Sequence, residues 1–396
     1  MRRTIIAFAA TTLLGALLAS PASASSDTGS GSGELATGGH GGLAPVTKAS
    51  GQRIAGQYVV SLDRDAAAGA VSAGLGIRPL HTYQAALHGF AAKLSPGQLR
   101  ATQRNPHVTW IEEDAVVHAD ATQTNPPWNL DRIDERLRDL QNTYSWDHDG
   151  TGVNAYIIDT GIDTTHPEFN GRARVAHDTV GGDGQDCNGH GTHVAGVVGS
   201  ETYGVAKGVT LHAVRVLNCT GSGSISGVIA GIDWVAANHQ APAVANMSLG
   251  GSFNLAMNQA VTNMTLAGVF TSVSAGASNS NACNFSPASA ENVTVVAATD
   301  GSDTSAPFNN WGSCVDVFAP GMSITSTWLS GGTNTISGTS MGTAHATGAG
   351  AIYRQVFPNS TSAAVNDWVI ETSTKNVVGN VPAGTPNRLL YKPPAL

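Results

Sequence analysis

Residues 153–159, VNAYIID, followed at 160–163 by TGID, make a dense apolar run that stops at a carboxylate and a glycine turn. A strand with one wet face would alternate apolar and polar residues. This one does not, so it reads as a strand buried on both faces. Four further runs have the same character: VTLHAVRVL (209–217), AVANMS (243–248), VFTSVSA (269–275) and VTVVAA (293–298). Helical patterns lie between them, including GTHVAGVVG (191–199), ISGVIAGIDWVAAN (225–238) and LAMNQAVTNMTLAG (255–268). Such alternation predicts an α/β domain with a doubly wound, mostly parallel sheet. Ligands of open sheets of this kind bind beyond the carboxyl ends of the strands. Asp159 ends its run at that edge.

Working outward, the N-terminus sets the compartment. A basic start (MRR), the apolar stretch TIIAFAATTLLGALLA and the small-residue site Ala22-Ser23-Ala24 read as a secretory signal peptide over 1–24, so a secreted, extracellular protein is expected. No later segment has ~18 unbroken apolar residues, so no membrane association is expected after signal removal. The Ser/Gly-rich stretch 25–55 reads as a flexible linker. From 56 to 120 a small unit is predicted in the order β-α-β-β-α-β, a ferredoxin-like α+β fold. Ser95 and Pro96 mark the start of its second helix. Residues 121–396 form the α/β domain. With 41% hydrophobic residues the chain can bury a sizeable core, and a net charge of −8 without a basic stripe argues against nucleic acid as a partner.

Four cysteines in an oxidising compartment read as two disulfides, with three pairings open. A metal site is the rival, since Cys187, His190 and His193 fall close together in CNGHGTH.

The segment GTSMG (338–342) matches the G-x-S-x-G pattern of an α/β-hydrolase nucleophile elbow. That elbow needs a preceding strand and a histidine later in the chain. WLSGGTNTIS is no buried strand, and the only later histidine, His345, lies on the same predicted helix. A serine nucleophile still needs a base, and the base an acid to hold its tautomer. Both stand upstream: Asp159 at its strand end, and His190 where NGHGTHVAG enters a helix, with Gly191 permitting close approach. Ser340 opens a helix, so its N–H points outward with the positive end of the helix dipole behind it. His193 and His345 read as structural, and Ser224 and Ser226 as helix caps.

Taken with YIIDTGID, DCNGHGTHVAG, SGSGSISGVIAGIDWV, NMSLGG, ACNFSPAS, CVDVFAPG and GTSM, the chain resembles the subtilisin-like serine proteases, in their proteinase K and aqualysin branch. The resemblance covers nearly all of 121–396, and 56–120 resembles the family's inhibitor-type propeptide. It implies a subtilisin-like fold and a self-processing endopeptidase of broad specificity, monomeric, whose partners are protein or peptide substrates and its own propeptide. By the same resemblance Asp159, His190 and Ser340 form the triad. Gly221, Ser222, Gly223, Ser248, Leu249 and Gly250 pair with an extended substrate backbone. Disulfides Cys187–Cys219 and Cys283–Cys314 are implied, as is a structural Ca²⁺ on the Asp316 carboxylate and the carbonyls of Glu291 and Val293. Maturation is expected within a few residues of Asp120.

The chain departs from the pattern in two places. Where the family has an oxyanion-hole asparagine this chain has Ala277, in SAGAS. A methyl group donates no hydrogen bond, and losing one such donor costs roughly 10²–10³ in kcat. In the nucleophile helix Gly342, Ala344 and Ala346 replace alanine, proline and valine. A homologue that binds extended peptides without cleaving them is therefore the second expectation.

Overall fold

The computed structural model describes residues 42–49, 53–116 and 121–396. The signal peptide, most of the linker and the junction beside Asp120 lie outside the described residues.

The N-terminal unit follows the predicted order. Strands β1 (Val46–Thr47) and β2 (Arg53–Leu62), helix α1 (Ala68–Gly74), strands β3 (His81–Tyr83) and β4 (Gly89–Lys93), helix α2 (Pro96–Gln103) and strand β5 (Val108–Ala115) give one sheet, β1-β5-β2-β4-β3. Its core holds Val60, Phe90 and Ile111, all fully buried. Ser95 caps α2 as expected: its Oγ accepts from the Gln98 N–H while Gln98 Oε1 accepts from the Ser95 N–H. Among the described residues, β1 pairs Val46 parallel to Ile111, and the Ala44 N–H already reaches the Gln103 carbonyl, inside the segment read as linker. Two exposed strand residues carry no hydrophobic pattern to announce them.

In the larger unit, β6 (Ala121–Thr124) pairs with β7 (Thr143–Trp146) around helix α3 (Trp128–Ile133). The predicted runs then become β8 (Asn154–Asp159), β10 (Thr210–Arg215), β11 (Ala243–Met247), β13 (Val269–Ser274) and β15 (Thr294–Thr299). The intervening elements are β9 (Ala173–Asp178), α4 (His190–Gly199), α5 (Ile225–Asn238), β12 (Gly251–Ser252), α6 (Leu255–Leu266) and β14 (Phe285–Ser286). After β15 come β16 (Val317–Pro320), β17 (Ile324–Thr327), β18 (Thr333–Ile336), α7 (Thr339–Val356), α8 (Ser362–Thr372), β19 (Thr374–Lys375) and β20 (Arg388–Leu389). The sheet runs β19-β20-β16-β15-β13-β11-β8-β10-β9, parallel except at β19–β20. Every residue of β8 is buried, which is why its text lacks alternation. The run reading missed β9, an edge strand with exposed Arg174 and Val175, and β16, only four residues ending in proline.

Helix α7 is buried along most of its length. Small residues allow this. A Cβ on Gly348 would sit 2.6 Å from Val205, and one on Gly350 would sit 2.2 Å from the Phe270 ring. The helix is thereby pressed onto the sheet with its N-terminus, and Ser340, at the carboxyl edge. No helix of the described residues is long and apolar enough to cross a membrane.

Candidate active site

Asp159 closes β8 with its side chain fully buried, and its Oδ1 accepts from His190 Nδ1 at 2.7 Å and from the Thr160 N–H at 2.7 Å. His190 is the first residue of α4, whose N-cap Gly189 has φ +105°. A Cβ on Gly191 would lie 2.1 Å from the Gly161 carbonyl, so the approach of α4 to the end of β8 requires glycine there. Burial pulls the His190 imidazolium down. The Asp159 charge, the hydrogen bond to it and the Asp186 charge outweigh burial, so the His190 pKa lies above its ordinary value. The Nδ1 bond leaves Nε2 to face the cleft.

Ser340 is the second residue of α7, and none of the hydrogen bonds of the described residues uses its N–H. Its Oγ donates to the Ser248 carbonyl at 3.3 Å, while Ser248 Oγ donates to the Ser340 carbonyl at 2.9 Å. Asn246 Nδ2 donates to Ser248 Oγ and Asn246 Oδ1 accepts from Thr347 Oγ1, so the nucleophile helix is laced to β11 and to the residue that follows it. A bond between Ser340 and His190 is not among those formed. In free enzymes such bonds are often long and tighten only around substrate.

A cleft of about 600 Å³ lies between these elements, lined by His190, by Gly221, Ser222 and Gly223, and by Ser248, Leu249 and Gly250. All six residues expected to pair with substrate therefore share one cleft with the histidine. Ser340 adjoins it through Ser248.

Ala277 is exposed, in a loop held by Asn310. Asn310 Nδ2 donates to the Ala275 carbonyl, and its Oδ1 accepts from the N–H groups of Ser278 and Ser280. Ser274 Oγ meets Thr339 Oγ1 at 2.6 Å, which ties this loop to the residue before Ser340. No hydrogen bond involves the side chains of Ser278 or Asn279 among the described residues.

Cysteines 187 and 219 are bonded, as are 283 and 314. The rival metal reading falls with them. Cys187 is consumed, His190 Nδ1 faces Asp159, and His193 Nε2 faces the carbonyls of Ile324 and Asn334. His345 is equally engaged, with Met341 O and Asn129. Ser224 caps α5 by accepting from the Gly227 N–H.

Asp316 is held by one N–H, that of Val295, and burial pushes its carboxyl up to about 6. A desolvated carboxylate with a single N–H partner keeps acceptor capacity of the kind Ca²⁺ uses. Sequence reading missed a second acidic group. Ligand atoms of Asp131, Asp134 and Glu135 lie within 4.8 Å of one another, and Asp134 Oδ1 is buried without a partner. The i, i+3, i+4 spacing of acids across the end of a helix was the available signal.

A buried aspartate bonded to a cleft-lining histidine beyond the carboxyl ends of a parallel sheet, beside a serine at a helix N-terminus, defines a serine peptidase of the α/β type. The comparisons agree. Residues 150–388 match the subtilase family, and residues 61–120 match peptidase inhibitor I9. The chain is 51% identical over 322 residues to an extracellular serine proteinase of Thermus sp. (strain Rt41A), covering 80% of this chain and 78% of that protein. It is 50% identical over 313 residues to alkaline serine exoprotease A of Vibrio alginolyticus, covering 77% of this chain and 58% of that protein. Among solved structures, a cold-adapted subtilisin-like serine proteinase superposes with a TM-score of 0.67 at 48% identity, covering 68% of this chain and 99% of that one. This chain belongs to the subtilase family and carries an inhibitor I9 propeptide.

Proposed function

We propose that the protein is a secreted endopeptidase of broad specificity that uses Asp159, His190 and Ser340, with Ala277 leaving it slower than a fully furnished site. The 2.7 Å bond between Asp159 and His190, set beside Ser340 at one cleft, carries the reading. An extended peptide lies between residues 221–223 and 248–250, which offer main chain more than side chains, so sequence preference is weak. Ser340 Oγ attacks the scissile carbonyl while His190 Nε2 takes its proton, and Asp159 holds the tautomer and stabilises the imidazolium. The Ser340 N–H receives the developing oxyanion. His190 then returns the proton to the leaving amine, and water, activated by the same histidine, releases the acyl group.

Residues 56–120 act as folding aid and inhibitor of residues 121–396, and the precursor cuts itself beside Asp120. Asp316, with the Glu291 and Val293 carbonyls, would hold a calcium ion, which would neutralise a buried charge away from the chemistry. The exposed methyl of Ala277 favours one second reading, a homologue that binds extended peptides and leaves them intact.

Ser340→Ala separates the two. Hydrolysis should fall by on the order of 10⁶ in kcat, and the variant should persist as uncut precursor in a host lacking other proteases. A serine-directed phosphonate should label wild type at Ser340. Peptide binding by wild type without labelling or turnover would establish the second reading.

A further inference from the structure

One carboxylate beside the catalytic pair has more hydrogen bonds than either member of it. Asp186, nearly fully buried, accepts on Oδ1 from Thr160 Oγ1 at 2.9 Å, Asn188 N at 2.8 Å and Gly189 N at 3.0 Å. Its Oδ2 accepts from Thr192 N at 2.9 Å and Thr192 Oγ1 at 2.7 Å. Thr160, which follows Asp159, also accepts on Oγ1 from the Gly191 N–H at 2.9 Å.

We propose that Asp186 is a positioning residue of the catalytic centre, clamping the end of β8 that carries Asp159 to the start of α4 that carries His190. The proposal rests on the triad reading given above. The donors come from both sides of the pair: Thr160 from the residue just past β8, and Asn188, Gly189 and Thr192 from around His190. A bare helix cap would need only the latter. The bridge through Thr160 ties the end of β8 to the start of α4 independently of the bond between Asp159 and His190. The disulfide from Cys187 to Cys219 fastens the same turn to the substrate wall, and Asn188 Nδ2 donates to the Cys219 carbonyl.

Asp186 also acts through charge. The groups that act on the His190 charge are Asp159 from β8 and Asp186, both raising its pKa. His193, further along α4, and His345 of α7 are each pushed down to about 4 by burial and are neutral. A general base must be neutral to act, so the acid limb of the kcat/KM profile follows the His190 pKa. Removing the Asp186 charge lowers that pKa and moves the limb to lower pH.

The test compares wild type with Asp186→Asn and Thr160→Val in the full secreted precursor. Asp186→Asn should lower kcat by roughly 10²-fold through lost orientation, with KM little changed and the acid limb displaced to lower pH. Thr160→Val breaks the bridge and keeps the charge, so kcat should fall with the limb in place. A processed Asp186→Asn enzyme with the wild-type kcat and limb overturns the proposal. If that variant does not fold, wild-type kcat in Thr160→Val overturns it equally. The His190 ring can also be titrated by NMR in the Ser340→Ala chain, where Asp186→Asn should lower its pKa. An inert wild type that shows this drop refutes the triad reading and upholds the effect of Asp186.

Discussion

The two sides of the candidate centre are furnished differently. On the histidine side, Asp159 and His190 meet at 2.7 Å, Asp186 gathers five hydrogen bonds around them, and a disulfide fastens the turn. On the serine side, helix α7 starts against Ser248 and Thr339 is tied to Ser274, yet the loop beyond ends in an exposed methyl at Ala277. On the reading proposed above, the groups that move the proton are well furnished and those that stabilise charge are not. These are separable tasks: one is set by a base and its orienting acid, the other by donors aimed where charge develops. A site with the first and half of the second still follows the triad mechanism, at a lower rate.

The largest effect that bears on this contrast comes from restoring the donor. Ala277→Asn should raise kcat by up to about 10²–10³-fold and leave KM nearly fixed, because an oxyanion donor acts on the transition state. Steady-state kinetics on a peptide substrate checks it, with Ser340→Ala in the same background as control. An unchanged kcat in a folded, processed enzyme would mean that another group already serves the oxyanion, and the asymmetry between the two sides would dissolve.

The next effect tests whether the serine side is at least as firmly stapled as the histidine side. Each disulfide closes a loop of similar size, with sequence separations of 32 and 31, and should contribute about 3–4 kcal/mol by chain entropy. Replacing Cys283 and Cys314 by serine should therefore cost about as much stability as replacing Cys187 and Cys219. Their effects on activity should differ. Only the second pair adjoins His190, so only its loss should lower kcat at a temperature where both variants stay folded. Equal losses of kcat would erase that distinction.

Calcium is a smaller lever, and Asp316 stands at the amino end of β16, away from both sides of the centre. If Asp316 holds the ion, EDTA should lower the melting temperature of wild type and hardly alter that of Asp316→Ala, since a ligand of the folded state stabilises by mass action. Should Asp316→Ala stay sensitive while Asp134→Ala does not, the ion sits instead at the Asp131, Asp134 and Glu135 cluster by α3.

Much of this could be read in the sequence. The runs that became β8, β10, β11, β13 and β15 are buried on both faces, so composition alone marks them. Residues 159 and 190 could be nominated because each stands where an element ends or begins, and the structure brings those ends together. What escaped is acceptor geometry. Asp186 reads as a loop aspartate until five donors from separate segments converge on it. The exchange between Ser248 and Ser340 spans 92 residues, and no periodicity announces it. β9 and β16 escaped for the opposite reason: one is wet and one is short, so neither supplies a long apolar run.

The smallest expected effect concerns Gly342, in the first turn of the nucleophile helix. Glycine there weakens a helix by about 1 kcal/mol relative to alanine. The residue looks like a defect of the serine side, a partner to Ala277. Its surroundings say otherwise. A Cβ at Gly342 would meet the Ala297 carbonyl at 3.1 Å, Val296 Cγ1 at 3.3 Å and the Ala319 carbonyl at 3.4 Å, all on strands β15 and β16. Two of these are backbone atoms and cannot swing away, so α7 would have to lift by a few tenths of an ångström. The gain in helix propensity and the cost of crowding are of similar size. Gly342→Ala should then change stability by less than about 1 kcal/mol in either direction, as measured by denaturant unfolding of the Ser340→Ala chain. A clear stabilisation would show slack between α7 and the sheet and make Gly342 a second weakness on the serine side. A near-zero change would remove Gly342 from the weaknesses of the serine side and leave the missing donor at Ala277 as the chief difference between the two sides.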